Sequence, residues 1–170
     1  MLEGTIPINN LEAIIKKGTD LFREEEGMLQ CCSIEGVPSV GFAKTALENA
    51  LFGRKICKAK TAKKSLLFLL WLYCTCQLET AIVQAGKAEK GCLLVIASKD
   101  KNAANEALAF AKNHGFREKK GLILQNFSKN QDAFAERFGI SEKEVHAFRH
   151  LPKKQAIERL ILERQAMMAL

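Results

Sequence analysis

The sequence predicts an α+β fold: a single helix-rich domain with a small mixed sheet of three or four strands and a central buried helix. Three observations predict it. Apolar residues recur at helical spacing along most of the chain. Two short apolar runs, Met28–Ile34 and Cys92–Ala97, have strand length and no helical period. The block Leu66–Tyr73 is apolar all round, as a helix covered on most sides must be.

The elements follow in order. Leu11, Ile14, Ile15, Leu21 and Phe22 outline a first helix, with Asn9 or Asn10 as N-cap and Gly27 as terminator. After the strand at Met28–Ile34, Pro38 suits the first turn of a second helix. Ala43, Ala46, Leu47, Ala50 and Leu51 form its apolar face, and Gly53 ends it. The central helix is predicted over Ala62–Ala85, narrowing to a stripe of Leu78, Ala81, Ile82 and Ala85 and closed by Gly86. Cys92–Ala97, a helix carrying Ala104, Ala107, Leu108 and Ala111, and a further strand at Gly121–Phe127 form a strand–helix–strand unit. Phe134 and Phe138 share a short helix stopped by Gly139, and Ser141 with Glu144 makes a capping box. Pro152 opens a last helix whose inner face is Ala156, Ile157, Leu160, Ile161 and Met167. That gives about seven helices. No repeat or Pro/Gly-rich linker divides the chain, so residues 1–170 are expected to form one domain.

The formal net charge is +7. Much of it falls in one stretch: Arg54, Lys55, Lys58, Lys60, Lys63 and Lys64, with no acid among them. An acid-free cation cluster leading into a buried helix fits a phosphate backbone, and a solvated helix start is the plainer alternative. Trp71 and Tyr73 follow closely; their place in an all-apolar helix marks them as core rather than base-stacking platforms.

The six cysteines, Cys31, Cys32, Cys57, Cys74, Cys76 and Cys92, make no CxxC pair, and no histidine spacing completes a zinc site. Most lie in apolar company, which predicts buried reduced thiols and a reducing, cytoplasmic setting. The block Leu66–Cys76 is far short of the ~20 residues that span a bilayer. There is no GxGxxG, P-loop, HExxH or GxSxG, and no recognisable carboxylate pair. Neither catalysis, a cofactor nor a metal is therefore expected. A thiol or metal enzyme using Cys31/Cys32 or Cys74/Cys76 is the competing reading from another class. Surface recognition remains. The end of the last helix, with Leu160, Ile161, Met167, Met168 and Leu170, adds an apolar, methionine-bearing surface suited to a protein partner.

Four blocks together resemble the PRPK-binding protein family, the smallest core subunit of the KEOPS complex. They are Phe42–Gly53 followed by Arg54–Lys55–Ile56; Leu66–Leu72 running into Gln77–Leu78, Ala81–Ile82 and Gly86; Phe138–Glu144; and Leu160–Met168 with its Leu-Glu-Arg-Gln-Ala core. Cys74–Thr75–Cys76–Gln77 stands where the family commonly has Gly-Thr-Arg-Gln, so Cys76 replaces an arginine. The resemblance implies a cytoplasmic, non-catalytic subunit of the complex that installs threonylcarbamoyl on a tRNA adenosine. It implies contact with the single-stranded CCA end of tRNA, with the N-terminal lobe of a small atypical kinase, and through these with the other subunits. On this reading Arg54, Lys55, Lys58, Lys60, Lys63 and Lys64 hold phosphates. Thr75 and Gln77 reach base or sugar edges, and Leu162, Glu163, Ala166, Met167 and Met168 meet the kinase. The alternative is a protein-only adaptor of the kinase whose cations merely solubilise it.

Overall fold

The computed structural model describes residues 1–22, 27–52, 56, 63–86, 88 and 90–168. Its sheet is built from β1 (Leu2–Thr5), β2 (Gly27–Ser33), β3 (Cys92–Ser98) and β4 (Arg117–Glu118), in the order β2-β3-β1-β4. The longest ladder runs from Gly27 opposite Ser98 to Ser33 opposite Cys92. Period-two alternation sends successive side chains to opposite faces, so the adjacent Cys31 and Cys32 part company. Leu29, Cys31, Cys92 and Leu94 face one apolar cluster; Met28, Cys32, Leu93 and Val95 face the other. Both faces are covered, which is why these strands read as unbroken apolar runs.

On the smaller side lie α1 (Leu11–Leu21) and α5 (Lys101–Asn113), contributing Ile14, Ala107 and Ala111. The larger side holds α2 (Val40–Leu51), α3 (Lys64–Tyr73) and α4 (Leu78–Gly86). It also takes side chains from α6 (Leu122–Lys129), α7 (Gln131–Arg137), α8 (Glu142–Ala147) and α9 (Lys153–Met167). The helix-rich α+β domain is thus as expected, with nine α-helices among the described residues rather than about seven. Leu67–Tyr73 are all buried, and Trp71 is the largest side chain with no exposure. Trp71 and Tyr73 are core residues, and the Tyr73 hydroxyl donates to the Ser33 carbonyl at 3.0 Å.

Three local expectations are corrected. The sheet is antiparallel throughout, not mixed. The strand expected at Gly121–Phe127 is helix α6 instead, so the strand–helix–strand crossover that would have made a parallel pair does not exist. Gly121 adopts a left-handed φ of 81° at the helix start, and Glu3 Oε2 on β1 accepts the Ile123 N–H at 2.9 Å. A carboxylate at a helix N-terminus stabilises it, but this one comes from the far end of the chain. Leu122, Ile123 and Phe127 then bury one helical face.

The second correction concerns the central helix. It breaks into α3 and α4 with an 82° bend. Cys74 is left-handed at φ 47°, and Thr75 Oγ1 accepts the Gln77 N–H at 3.2 Å, a local bond that competes with helix continuation. Among the described residues no single helix is long and apolar enough to cross a membrane. The stripe expected on its second half is half right: Ala81 and Ala85 are buried, whereas Ile82 is 49% exposed. Helix termini account for the third set. Asn10 precedes α1 but its side chain makes no cap; its Nδ2 donates to the His114 carbonyl at 2.8 Å. Pro38, expected in the first turn of α2, instead precedes its N-cap, Ser39, which accepts the Phe42 N–H at 3.2 Å. Gly27 opens β2, and the expected terminator Gly53 lies outside the described residues.

The capping box on α8 is present and extended. Glu144 Oε2 accepts from the Ser141 N–H at 2.8 Å and the Ser141 hydroxyl at 2.9 Å, and its other oxygen pairs with Arg164 on α9. The two Ser141 bonds, then Arg164, hold the Glu144 carboxyl down at about 2. A carboxyl lowered on folding adds stability above its unfolded value of 4.5, and that stability disappears as pH falls through the folded value. Unfolding measured between pH 5 and pH 2 is therefore expected to show an acid limb that Glu144→Gln flattens. An identical limb in the variant would mean other carboxylates produce it.

Candidate nucleic-acid interface

The expected RNA-binding residues fall into three groups. Arg54, Lys55, Lys58 and Lys60 lie outside the described residues. Lys63 precedes α3 as its N-cap and Lys64 is its first residue. Thr75 and Gln77 sit at the α3–α4 bend, at the other end of the same helix. A ten-residue helix is about 15 Å long, so the lysines and the two polar residues cannot meet one phosphate together. They lie at opposite ends of α3.

The lysine end is electropositive for reasons beyond its side chains. The first turn of α3 holds no acid and has no side-chain cap, and the helix dipole adds partial positive charge there. The N–H groups of Leu66 and Leu67 both donate to the Lys63 carbonyl, at 3.1 and 3.0 Å. A cavity of about 190 Å³ flanks this turn, lined by Lys63, Lys64, Ser65 and Gln30 over an apolar floor including Ile15 and Phe22. On its other side Lys64 also lines a cavity of about 400 Å³ with Ser98 and Lys99.

At the bend Gln77 is exposed and Thr75 half-buried. Gln77 Oε1 accepts from the Thr80 hydroxyl at 3.0 Å, which orients the side-chain amide. Cys76 is exposed and bonded in a disulfide, so the expectation of reduced thiols throughout fails there. Its location explains the difference, since it lies on the surface rather than in the core. Cys31, Cys32, Cys74 and Cys92 are free thiols. Burial pushes the Cys32 thiol up and the Cys74 thiol up to about 12. The Cys31 thiol is also raised, first by its bond to Cys92 and then by burial. A nucleophile needs the opposite shift. Among the described residues no group of three His, Cys, Asp or Glu side chains is placed to hold a metal.

Sequence reasoning passed over Phe52. It follows α2, is 78% exposed and stands immediately before the basic run. The available signal was its position off the apolar stripe Ala43–Ala46–Leu47–Ala50. Trp71 and Tyr73 are buried, as expected of core residues, and Phe52 is the exposed phenylalanine among the described residues.

Four of the five expected partner-binding residues share the outer face of α9. Leu162, Glu163, Ala166 and Met167 are exposed, Met167 at 59%, whereas Met168 turns back against the core. Met167 was expected on the inner face; seven residues on from Leu160 it stands at the edge of that stripe, in the last turn of α9, and is exposed. Between these exposed residues Gln165 is buried, and its Nε2 donates to the Trp71 carbonyl at 3.2 Å and the Phe42 carbonyl at 3.4 Å. The end of α9 and the α3–α4 bend are thereby neighbours. Comparison with family models, curated proteins and solved structures finds no match to this chain.

Proposed function

We propose that this protein is a non-catalytic, cytoplasmic, tRNA-binding subunit of a KEOPS-type threonylcarbamoyladenosine complex. The observation that carries the reading is the framing of the acid-free basic run. On one side stands an exposed aromatic ring, Phe52; on the other, the uncapped cationic start of α3 at Lys63 and Lys64. Cations for phosphates and a free ring for a base are what an unpaired RNA end requires. With Cys76 in place of the family arginine and engaged in a disulfide, phosphate binding falls to the lysines.

Binding of tRNA with and without its CCA tail tests this directly; equal affinity for the two would end the tail-recognition reading. Replacing Lys60, Lys63 and Lys64 by Ala is expected to lower the slope of log affinity against log salt by about 2, the value for three single-strand phosphates. Phe52→Ala is expected to weaken tailed tRNA by about 1–3 kcal/mol, one lost stacking partner, with no change in unfolding midpoint. A midpoint that drops with the affinity would make Phe52 a packing residue instead.

The outer face of α9 supports the second contact, with the kinase, since Leu162 and Met167 stay exposed while Ile161 and Gln165 are buried. Leu162→Glu with Met167→Glu should abolish co-purification with the kinase and leave tRNA binding intact. If kinase pairing is lost and wild-type protein binds no tRNA, the protein-only adaptor is the correct reading.

A further inference from the structure

The sheet is left partly open at the end where β2 begins and β3 finishes. The first four residues of β3 are buried, but the last three, Ile96–Ser98, are only half-buried. Gly27 stands opposite Ser98 and keeps the backbone bare there. A Cβ on it would lie 2.5 Å from the Ala97 carbonyl oxygen and 2.8 Å from Phe22 Cδ1, so space selects glycine. The cavity of about 400 Å³ at this end takes further walls from Leu51 closing α2, Lys64 opening α3 and Ala104 on α5. Its size falls within the range of about 300–1,000 Å³ usual for small-molecule sites.

The charge of this cavity is one-sided. Lys64 and Lys99 line it and no acid does. Asp100, next to Lys99 in sequence, is engaged as the N-cap of α5, where its Oδ1 accepts the Asn102 N–H at 2.8 Å. Lys99 is exposed and has no hydrogen-bond or ion-pair partner among the described residues. The Ser98 hydroxyl oxygen accepts the Asp100 N–H at 3.0 Å, which fixes that side chain and leaves its own proton to donate. Leu51, Ile96 and Ala97 make the rest of the wall apolar, and the exposed Phe52 follows Leu51 directly. Unopposed cations suit a phosphate, a hydroxyl donor suits a ribose, and apolar wall beside an exposed ring suits the face of a base.

We infer that this cavity binds one nucleoside monophosphate unit, its phosphate on Lys64 and Lys99 and its base against Leu51 and Ile96. The inference deepens the RNA reading above and rests on it for the source of that unit, an unpaired RNA end. A free nucleotide is the other source of the same chemistry.

The test is an amide-shift titration of the full chain with AMP, with inorganic phosphate and with an ACCA ribotetranucleotide. AMP should shift Gly27, Lys64 and Ile96–Lys99 and bind at least tenfold tighter than inorganic phosphate, which offers no base to stack. Lys99→Glu should weaken AMP at least tenfold by reversing a phosphate contact. Its side chain is exposed, so the unfolding midpoint should not move. With tRNA, Lys99→Ala should lower the salt slope by about 0.7, the value for one single-strand phosphate. A tetranucleotide that outcompetes AMP supports the cavity as an RNA site; AMP outcompeting the tetranucleotide supports it as a site for free nucleotide. The inference is overturned if phosphate binds as tightly as AMP, if the shifts avoid the end of β3, or if Lys99→Glu changes nothing. The RNA reading fails separately. Wild-type protein that binds AMP here but no tRNA ends that reading and keeps the cavity, whereas tRNA binding indifferent to Lys99 does the reverse.

Discussion

Trp71→Ala is expected to cost about 3–5 kcal/mol, the range for deleting a large aromatic from a closed core. Trp71 has no solvent exposure and sits among Leu67–Tyr73, all buried. Set against the usual 5–15 kcal/mol of a domain, that loss leaves many molecules unfolded at the low end. Far-UV circular dichroism in urea is the measurement, because the chain has no other tryptophan to report by fluorescence. Trp71→Phe keeps most of the ring volume and should lose much less. A Trp71→Ala variant within about 1 kcal/mol of wild type would contradict the packing described and reopen a role for this ring in stacking on bases.

Gln165→Ala carries the second large effect, about 2–3 kcal/mol. Its amide gives two bonds, to the last turn of α3 and the first turn of α2, and the side chain itself is buried. Truncation leaves a void and weakens the satisfaction of both carbonyls. Gln165 Oε1 is buried with no partner among the described residues, so the native site already carries a cost. Gln165→Met, which fills the volume and removes that oxygen, should therefore fall between wild type and Ala. Should Ala and Met prove equally harmless, α9 would be held by its apolar face alone. The practical corollary concerns the proposed kinase contact: cutting the chain at Arg164 removes this clamp together with Ala166 and Met167 of the outer face. Loss of pairing in such a truncation would report unfolding as readily as lost contact. Point substitutions at Leu162 and Met167 avoid the confusion.

Much of the architecture was legible because it is locally encoded. Met28–Ile34 and Cys92–Ala97 are strands within about a residue of expectation, the Ser141–Glu144 box caps α8, and the apolar block Leu66–Tyr73 lies in a helix, although that helix ends at Tyr73 rather than running on to Ala85. What escaped depends on distant partners. Gly121–Phe127 has enough apolar residues for either a strand or a helix, and Glu3 capping from β1 settles the matter in favour of the helix. The bend at Cys74 turns on one side-chain bond, Thr75 to Gln77, inside an otherwise helical pattern. At the candidate interface, composition located the basic run but not its ends. Thr75 and Gln77 lie a full helix length from Lys63 and Lys64, and Phe52 was hidden by its membership of an apparently apolar helix end. Exposure is a property of packing, which periodicity reports only on average.

The place of β1 in the sheet governs the order of assembly. Leu2 pairs with Leu94 on one side and Gly4 with Glu118 on the other, so the earliest of the four strands to be synthesised waits for the two latest. Such distant pairings carry a large loop-closure cost before any contact repays it, and they slow folding. While β1 waits, α2 and α3 can already pack against each other, and the β3 edge that β1 will occupy stays open once made. Zipping that edge shut is the late event of folding, and an unsealed β3 is where nascent chains of this protein are most prone to stick to one another.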